Sequence, residues 1–304
     1  MNVCFYTTTY KSQPLNRVQL NIGYLGAYLK HHRPDVKVTY ALTHEQAVVS
    51  KPDILCVSST SQVIDDGIEL ARKVPGSRKV LGGYHVSALP HLLPEEFDVG
   101  VIGEGEATLL DLVNDDDWSV ILGTIGNPLR PRLDVTTLPF PYRDRNGCGS
   151  EYMFTSRGCP YSCIYCASSK KWGRVSMMSA ERVVEEMSVL YHEYKAQHIT
   201  MFDDLFASNI ARLQQIADFM ESAKLIGKMT FHGFVRANLV TDAMVRVLKH
   251  IGFTSVRFGA ETMGSDLLKF LKGGNVTPDD ARRTVNLFSK HKIKVGASIV
   301  LGSP

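Results

Sequence analysis

The sequence predicts an α/β protein of two domains, each built on a parallel sheet. Three observations carry that expectation. Short apolar runs rich in Val, Ile and aromatic residues alternate with segments of helical spacing along the whole chain. Such alternation implies parallel strands joined by helical crossovers. The chain has 304 residues, a length at which one hydrophobic core usually divides into two. Between the two series, Asn114-Asp115-Asp116-Asp117 and then Pro128, Pro131, Pro139 and Pro141 break the periodicity. Proline fixes φ and removes a donor, so an extended connector is expected there. The expected limits are 1–126 for the first domain, 127–148 for the connector and 149–304 for the second domain.

In the first domain, strands are expected at Asn2–Tyr6, Val36–Ala41, Asp53–Ser58, Arg78–Leu81 and Asp98–Ile102. Helices are expected at Leu20–His31, Val63–Lys73 and Ala107–Val113. The residues just past three successive strands are small or polar: Ser58-Ser59-Thr60, Gly82-Gly83-Tyr84-His85 and Gly103-Glu104-Gly105-Glu106. Ligands of such sheets lie outside the carboxyl ends of the strands, and glycine there permits close backbone approach. Any one of these turns also reads as an ordinary strand-to-helix connection. Three on one edge favour a large, flat or phosphate-bearing ligand. The glycines do not form GxGxxG after the first strand, so a dinucleotide is disfavoured.

The second domain repeats strand and helix more regularly. Strands are expected at Tyr152–Thr155, His198–Phe202, Met229–Phe234, Thr254–Phe258 and Lys294–Val300. Helices are expected at Ala180–Tyr194, Ile210–Ala223, Ala243–His250 and Asp279–His291. In the first of these helices Val183, Val184, Met187, Leu190, Tyr191 and Tyr194 fall on one stripe, which reads as core. Repeated βα units imply a parallel barrel or part of one, with its active site at the carboxyl rim. Past successive strands stand a cysteine cluster, Asp203-Asp204, Arg236 with Asn238, Glu261, and Gly302. An aspartate there also reads as a cap for the next helix, and Arg236 as a partner for a nearby carboxylate.

Composition narrows the function. Hydrophobic residues make up 44% and charged residues 21%, with a formal charge of +3, which is globular and close to neutral. Nothing indicates a nucleic-acid partner, because phosphate neutralisation needs a concentrated basic face. No apolar run reaches membrane-spanning length, and the first residues lack the regions of a signal peptide. A cytoplasmic protein with reduced thiols is expected. Three of the six cysteines, Cys159, Cys163 and Cys166, fall in one C-x3-C-x2-C segment. Thiolates suit iron–sulfur clusters or zinc. A structural zinc site closes with a second pair of ligands, and no later C-x-x-C or H-x-H follows. Cys4 and Cys56 sit inside apolar strands, and Cys148 stands alone. A 4Fe-4S cluster held at three corners keeps one iron open, as catalysis requires.

The segments Leu81-Gly-Gly-Tyr-His-Val-Ser-Ala-Leu-Pro90 and Val101-Ile-Gly-Glu-Gly-Glu-Ala-Thr108 resemble the cobalamin-binding domain that precedes many radical SAM enzymes. Cys159, Cys163 and Cys166, with aromatic Tyr165 before the last, resemble the signature of that superfamily. Leu138-Pro139-Phe140-Pro141 is similar to the segment leading into its barrel. The resemblance runs from Asn2 to Pro304. It implies a Rossmann-like cobalamin-binding domain followed by a partial (β/α) radical SAM barrel. It implies cobalamin over the first sheet's edge, near Ser59, Thr60, Gly82, Gly83, Gly103 and Glu104. The lower-ligand pattern D-x-H-x-x-G of classical cobalamin domains is missing, since no histidine has Asp two positions earlier.

For the barrel, the resemblance implies that the open iron chelates the amino and carboxylate groups of S-adenosylmethionine. An electron from the cluster then gives methionine and a 5′-deoxyadenosyl radical. The resemblance also implies that Tyr165 belongs to this S-adenosylmethionine site. Asp203 or Asp204 would receive the ammonium, Arg236 the carboxylate and Glu261 the ribose hydroxyls. The second strand end departs from the glycine-glycine-glutamate of many members. Five barrel strands are visible, and a fragment or an unusually short member is expected. The implied function is methyl transfer at carbon or phosphorus, or a radical rearrangement or ring closure. The partners would be a small-molecule or natural-product substrate and a reductase as electron donor. A methylthiotransferase is disfavoured because it needs three N-terminal cysteines where only Cys4 and Cys56 are present. The other alternative is a non-catalytic protein that binds a cluster or corrinoid.

Overall fold

The computed structural model describes residues 1–144, 150–168 and 175–302. The chain forms two compact units, Met1–Asn146 and Gly147–Pro304.

The first unit holds β1 (Asn2–Thr7), α1 (Leu20–His32), β2 (Lys37–Ala41), α2 (His44–Ser50), β3 (Ile54–Ser58), α3 (Ile64–Lys73), β4 (Arg78–Gly82), α4 (Tyr84–Ala88), β5 (Val99–Gly100) and α5 (Glu106–Asn114). The strands form one sheet in the order β2-β1-β3-β4-β5, with every pair parallel. Side chains alternate across a strand, and both faces are apolar here. Val3, Phe5, Ile54 and Cys56 pack with Ile22 and Leu29 of α1 and Leu109 and Leu112 of α5. Cys4, Tyr6, Leu55 and Val57 pack with Ala47 of α2 and Leu70 and Ala71 of α3. The near-continuous apolar strands of the sequence therefore follow from a sheet covered on both sides.

Three details differ from expectation. Helices α2 and α4 are seven and five residues long, too short to show a helical stripe. The strand expected at Asp98–Ile102 contracts to Val99–Gly100, and Val101 pairs instead with Thr124 in an isolated antiparallel bridge. The segment expected as an unpacked connector is extended but packed. Val135 and Leu138 are each 1% exposed, Tyr142 stacks on Tyr40 with ring centroids 4.3 Å apart, and its N–H donates to the Gly23 carbonyl. Those contacts tie the segment to the first unit. Residues 145–149, with Cys148, lie outside the described residues.

The second unit holds β6 (Ser150–Met153), β7 (Ser156–Arg157), β8 (Ser176–Met177), α6 (Ala180–His192), β9 (His198–Met201), α7 (Ile210–Ser222), β10 (Thr230–Val235), α8 (Asp242–Ile251), β11 (Phe253–Glu261), α9 (Ser265–Lys272), α10 (Pro278–Lys290) and β12 (Lys294–Ile299). Its main sheet runs β12-β11-β10-β9-β6, again all parallel. Each strand therefore lies beside its neighbour in sequence, as in an arc of a βα barrel. The helices begin where side chains accept the orphan N–H groups of the first turn. Ser179, Asn209, Thr241 and Thr277 do this for α6, α7, α8 and α10. Asn209, not Asp203 or Asp204, thus caps α7. On α6, Val183, Val184, Met187 and Leu190 are buried as the stripe requires. Helix α9 was not anticipated, and neither was the antiparallel pair β7–β8, which joins Ser156 to Met177 and Arg157 to Ser176. No helix among the described residues is long and apolar enough to cross a membrane.

Candidate functional site

The three cysteines lie on the loop that leaves β7, past the carboxyl end of β6. Gly158, at φ +92°, turns the chain into Cys159. Cys163 is buried, while Cys159 and Cys166 are half-buried. A backbone bond from Cys166 to the Cys163 carbonyl closes the turn between the last two, and the Ile164 N–H donates to the Leu271 carbonyl at the end of α9. Burial pushes the Cys159 thiol up, with Asp204 adding to the effect. Three soft donors on one loop, two of them partly open to solvent, suit a cluster with one open corner.

The base of that loop is held by two charged side chains. Asp203, 1% exposed, accepts from the Thr155 N–H at 3.1 Å, the Thr155 hydroxyl at 2.7 Å and the Ser156 hydroxyl. Burial pushes its carboxyl up, and the hydroxyls of Ser156 and Thr155 pull it back. Arg212 donates to the Thr155 and Met178 carbonyls. Of the pair Asp203 and Asp204 expected for the S-adenosylmethionine ammonium, Asp203 has its oxygens bonded at the loop base. Asp204 is exposed and accepts from Ser168 at 2.7 Å, so it is the carboxylate open to a ligand.

Arg236 follows β10 and is 6% exposed. Its Nη1 lies 3.3 Å from the Cys163 sulfur, its Nε 3.1 Å from the Asn238 side-chain oxygen, and its Nη2 3.3 Å from the Lys272 carbonyl. The guanidinium covers the Tyr161 ring at 3.7 Å. The residue expected to meet the S-adenosylmethionine carboxylate here contacts the cysteine loop. Glu261 ends β11 at φ +61°, a left-handed conformation that a side chain adopts only under constraint. The constraint is visible. Its Oε1 accepts from the Tyr165 hydroxyl at 2.6 Å and from Lys272 Nζ at 3.3 Å, and Lys272 also donates to the Gly259 carbonyl. A side chain at Gly259 would occupy the place of the Glu261 carboxylate. Burial and the Glu261 carboxylate together hold the Tyr165 phenol far above its ordinary range, so it stays a donor. Lys272 and Tyr161 were missed in the sequence. The apolar spacing of Leu267, Leu268 and Leu271 before Gly273-Gly274 could have located α9, and hence Lys272 at its end.

In the first unit, the strand order reverses direction between β1 and β3, the place where such sheets bind ligands. The carboxyl ends there are hydroxyl-rich. Thr8 donates to the Ser59 hydroxyl at 2.9 Å, and Asn21 donates to the Ser58 hydroxyl at 2.7 Å. The Thr7 hydroxyl is buried with no partner among the described residues. Thr60 is exposed, and Gly82 and Gly103 are half-buried. Gly103, at φ +80°, has open space where a side chain would stand. Glu104 accepts from the Leu133 N–H and pairs with Arg132, so its carboxylate is engaged with the packed segment. His85 has its ring nitrogens against the Ser61 hydroxyl and the Leu92 carbonyl, and His44 has its own against Asp66 and Lys73. Gly83, at φ +97°, sits where a Cβ would come within 2.5 Å of the Ser59 carbonyl oxygen and 2.8 Å of its nitrogen. Gly83→Ala is expected to cost about 2 kcal/mol from the backbone strain alone. Urea unfolding of the first unit measures it, and an unchanged midpoint would show that the turn relaxes freely.

Residues 153–304 match the radical SAM superfamily. The chain belongs to that superfamily, whose enzymes use a 4Fe-4S cluster and S-adenosylmethionine. An uncharacterized methyltransferase of Pyrococcus horikoshii is 28% identical over 94% of this chain and 69% of its own length. Among solved structures, the cobalamin-dependent S-adenosylmethionine radical enzyme OxsB, with aqua-cobalamin and S-adenosylmethionine bound, aligns with a TM-score of 0.82 at 19% identity. It covers 99% of this chain and 49% of OxsB. The radical S-adenosylmethionine methyltransferase TsrM of Kitasatospora setae, with tryptophan and a SAM analogue bound, also aligns with a TM-score of 0.82 at 19% identity. That match covers 100% of this chain and 68% of TsrM. The chain thus spans about half the length of OxsB, and these likenesses show a shared fold.

Proposed function

We propose that this chain is the core of a cobalamin-dependent radical SAM methyltransferase acting on a small molecule, in the cytoplasm, with a reductase as electron donor. The observation that carries the reading is the cysteine loop on the barrel rim. One of its three thiols, Cys163, sits beside a guanidinium, and the Tyr165–Glu261 pair is attached to the same loop. Cys159, Cys163 and Cys166 would hold the cluster, which supplies the electron that cleaves the sulfonium. Asp204 would receive the ammonium of S-adenosylmethionine, and Glu261 its ribose hydroxyls. Lys272 keeps the Glu261 carboxylate in place, and Tyr165 carries that restraint back to the cysteine loop. Asp203 and Arg212 hold the loop at its base.

The first unit supports the cobalamin part. Its carboxyl edge offers the half-buried Ser58, the exposed Thr60 and the open face at Gly103, which suit a flat ligand with an amide-rich rim and a phosphate tail. His44 and His85 are engaged within the protein, in keeping with a sequence that lacks the classical lower-ligand motif. A methyltransferase-named relative favours methyl transfer over rearrangement.

The test is anaerobic reconstitution followed by hydroxocobalamin and removal of the excess. The expected result is a cluster absorbance with about four iron per chain, a retained corrinoid spectrum, and products of S-adenosylmethionine cleavage on reduction. Colourless, zinc-loaded protein that is inert to S-adenosylmethionine would refute the enzyme reading. A cluster without retained corrinoid would refute the cobalamin part alone.

A further inference from the structure

Arg236 presents an electrostatic problem that its surroundings solve in one way. It is a buried cation, and among the described residues no carboxylate pairs with it. Its partners are a side-chain amide oxygen, a backbone carbonyl, an aromatic ring and the Cys163 sulfur. Glu261, at the end of the next strand, is taken by Lys272 and Tyr165. Burying an unpaired charge is costly, and the carbonyl, amide and ring offer only partial charges. The remaining candidate for a full counter-charge is the Cys163 sulfur, which is anionic once it ligates iron.

We infer that Arg236 is the counter-charge of the Cys163 thiolate and raises the reduction potential of the cluster through its N–H···S bond. The inference rests on the reading of the cysteine loop as a cluster site, and it replaces the carboxylate-binding role that the resemblance implies for this residue. Cluster potentials depend on net charge, on hydrogen bonds to the sulfurs and on solvent exposure. Arg236 acts on the first two: it adds a positive charge and donates to a ligand sulfur. A reduced cluster carries one more negative charge than an oxidised one, so a fixed cation beside it favours reduction. Asn238 and the Lys272 carbonyl aim the fork. Arg236 is thus a positioning and tuning residue rather than a catalytic one.

The experiment is an anaerobic redox titration followed by the electron paramagnetic resonance signal of the reduced cluster, in the wild-type chain and in Arg236→Gln and Arg236→Lys. Iron content and thermal unfolding are measured on the same samples. Arg236→Gln is expected to disfavour reduction at least tenfold, a fall of about 59 mV for a one-electron couple, with about four iron per chain retained. Arg236→Lys keeps the charge but loses the fork, so its midpoint falls between the two. It also decides the matter if the glutamine variant does not fold. A purely structural role would lower the melting temperature and leave the midpoint alone. Unchanged midpoints in iron-loaded variants would overturn the inference. So would an unchanged midpoint with S-adenosylmethionine binding weakened tenfold or more, which would return Arg236 to the carboxylate. If the wild-type chain assembles no cluster at all, the failure belongs to the site reading and not to Arg236.

Discussion

Replacing Cys163 by alanine is expected to reduce iron from about four per chain to near none and to abolish S-adenosylmethionine cleavage. A cluster held at three corners has no spare thiolate, and the described residues place no other cysteine on this loop. Cys163 is also the buried member of the trio and the one that Arg236 reaches. Its loss strips a ligand and leaves the guanidinium without its counter-charge. Iron analysis and the absorbance of anaerobically reconstituted protein check this. Full iron loading in Cys163→Ala would show that the cysteines are not the ligands.

The second large effect falls on Asp203. Truncation to alanine leaves the Thr155 N–H and the Thr155 and Ser156 hydroxyls without their acceptor in a site closed to water. Buried donors stripped of a charged acceptor cost about 1 to 3 kcal/mol each. Some relaxation is available to the hydroxyls, so a net loss of about 3 kcal/mol is expected. For a unit of this size that is a fall of roughly 6 to 12 °C in melting temperature. Iron retention should fall as well, because the same bonds anchor the start of the cysteine loop. Calorimetry with iron analysis tests both effects. An unaltered melting temperature would show that Thr155 and Ser156 find other partners, and full S-adenosylmethionine affinity in a stable variant would still separate this role from ligand binding.

These two residues mark how far the chain could be read in one dimension. The cysteine trio is legible because its ligands lie within eight residues, and soft donors at that spacing have few uses. The alternation of strand and helix is legible because its signal is local: Val3 to Tyr6 or Val183 to Leu190 show their burial in their own spacing. Asp203 was legible as a charged residue at a strand end, but not as a clamp, because its partners lie 47 and 48 positions away. Arg236 meets a sulfur 73 positions distant. Lys272 went unnoticed because a lysine at the end of a helix is ordinarily solvated, and only the bend of β11 at Glu261 brings a buried carboxylate to it. The segment around Val135 and Leu138 departs from expectation for a similar reason. Prolines announce an extended chain, but whether that chain is packed depends on the surface beneath it.

By itself, then, the order of residues determined the parallel α/β architecture of both units, the soft-donor loop and the polar carboxyl edges. Periodicity and ligand spacing are properties of neighbours along the chain. The tertiary structure alone decided which charged groups are buried and bonded within the fold and which stay exposed. That division depends on burial and on hydrogen bonds between distant strands, where a carboxylate or guanidinium taken out of water must be matched by whatever the fold places against it.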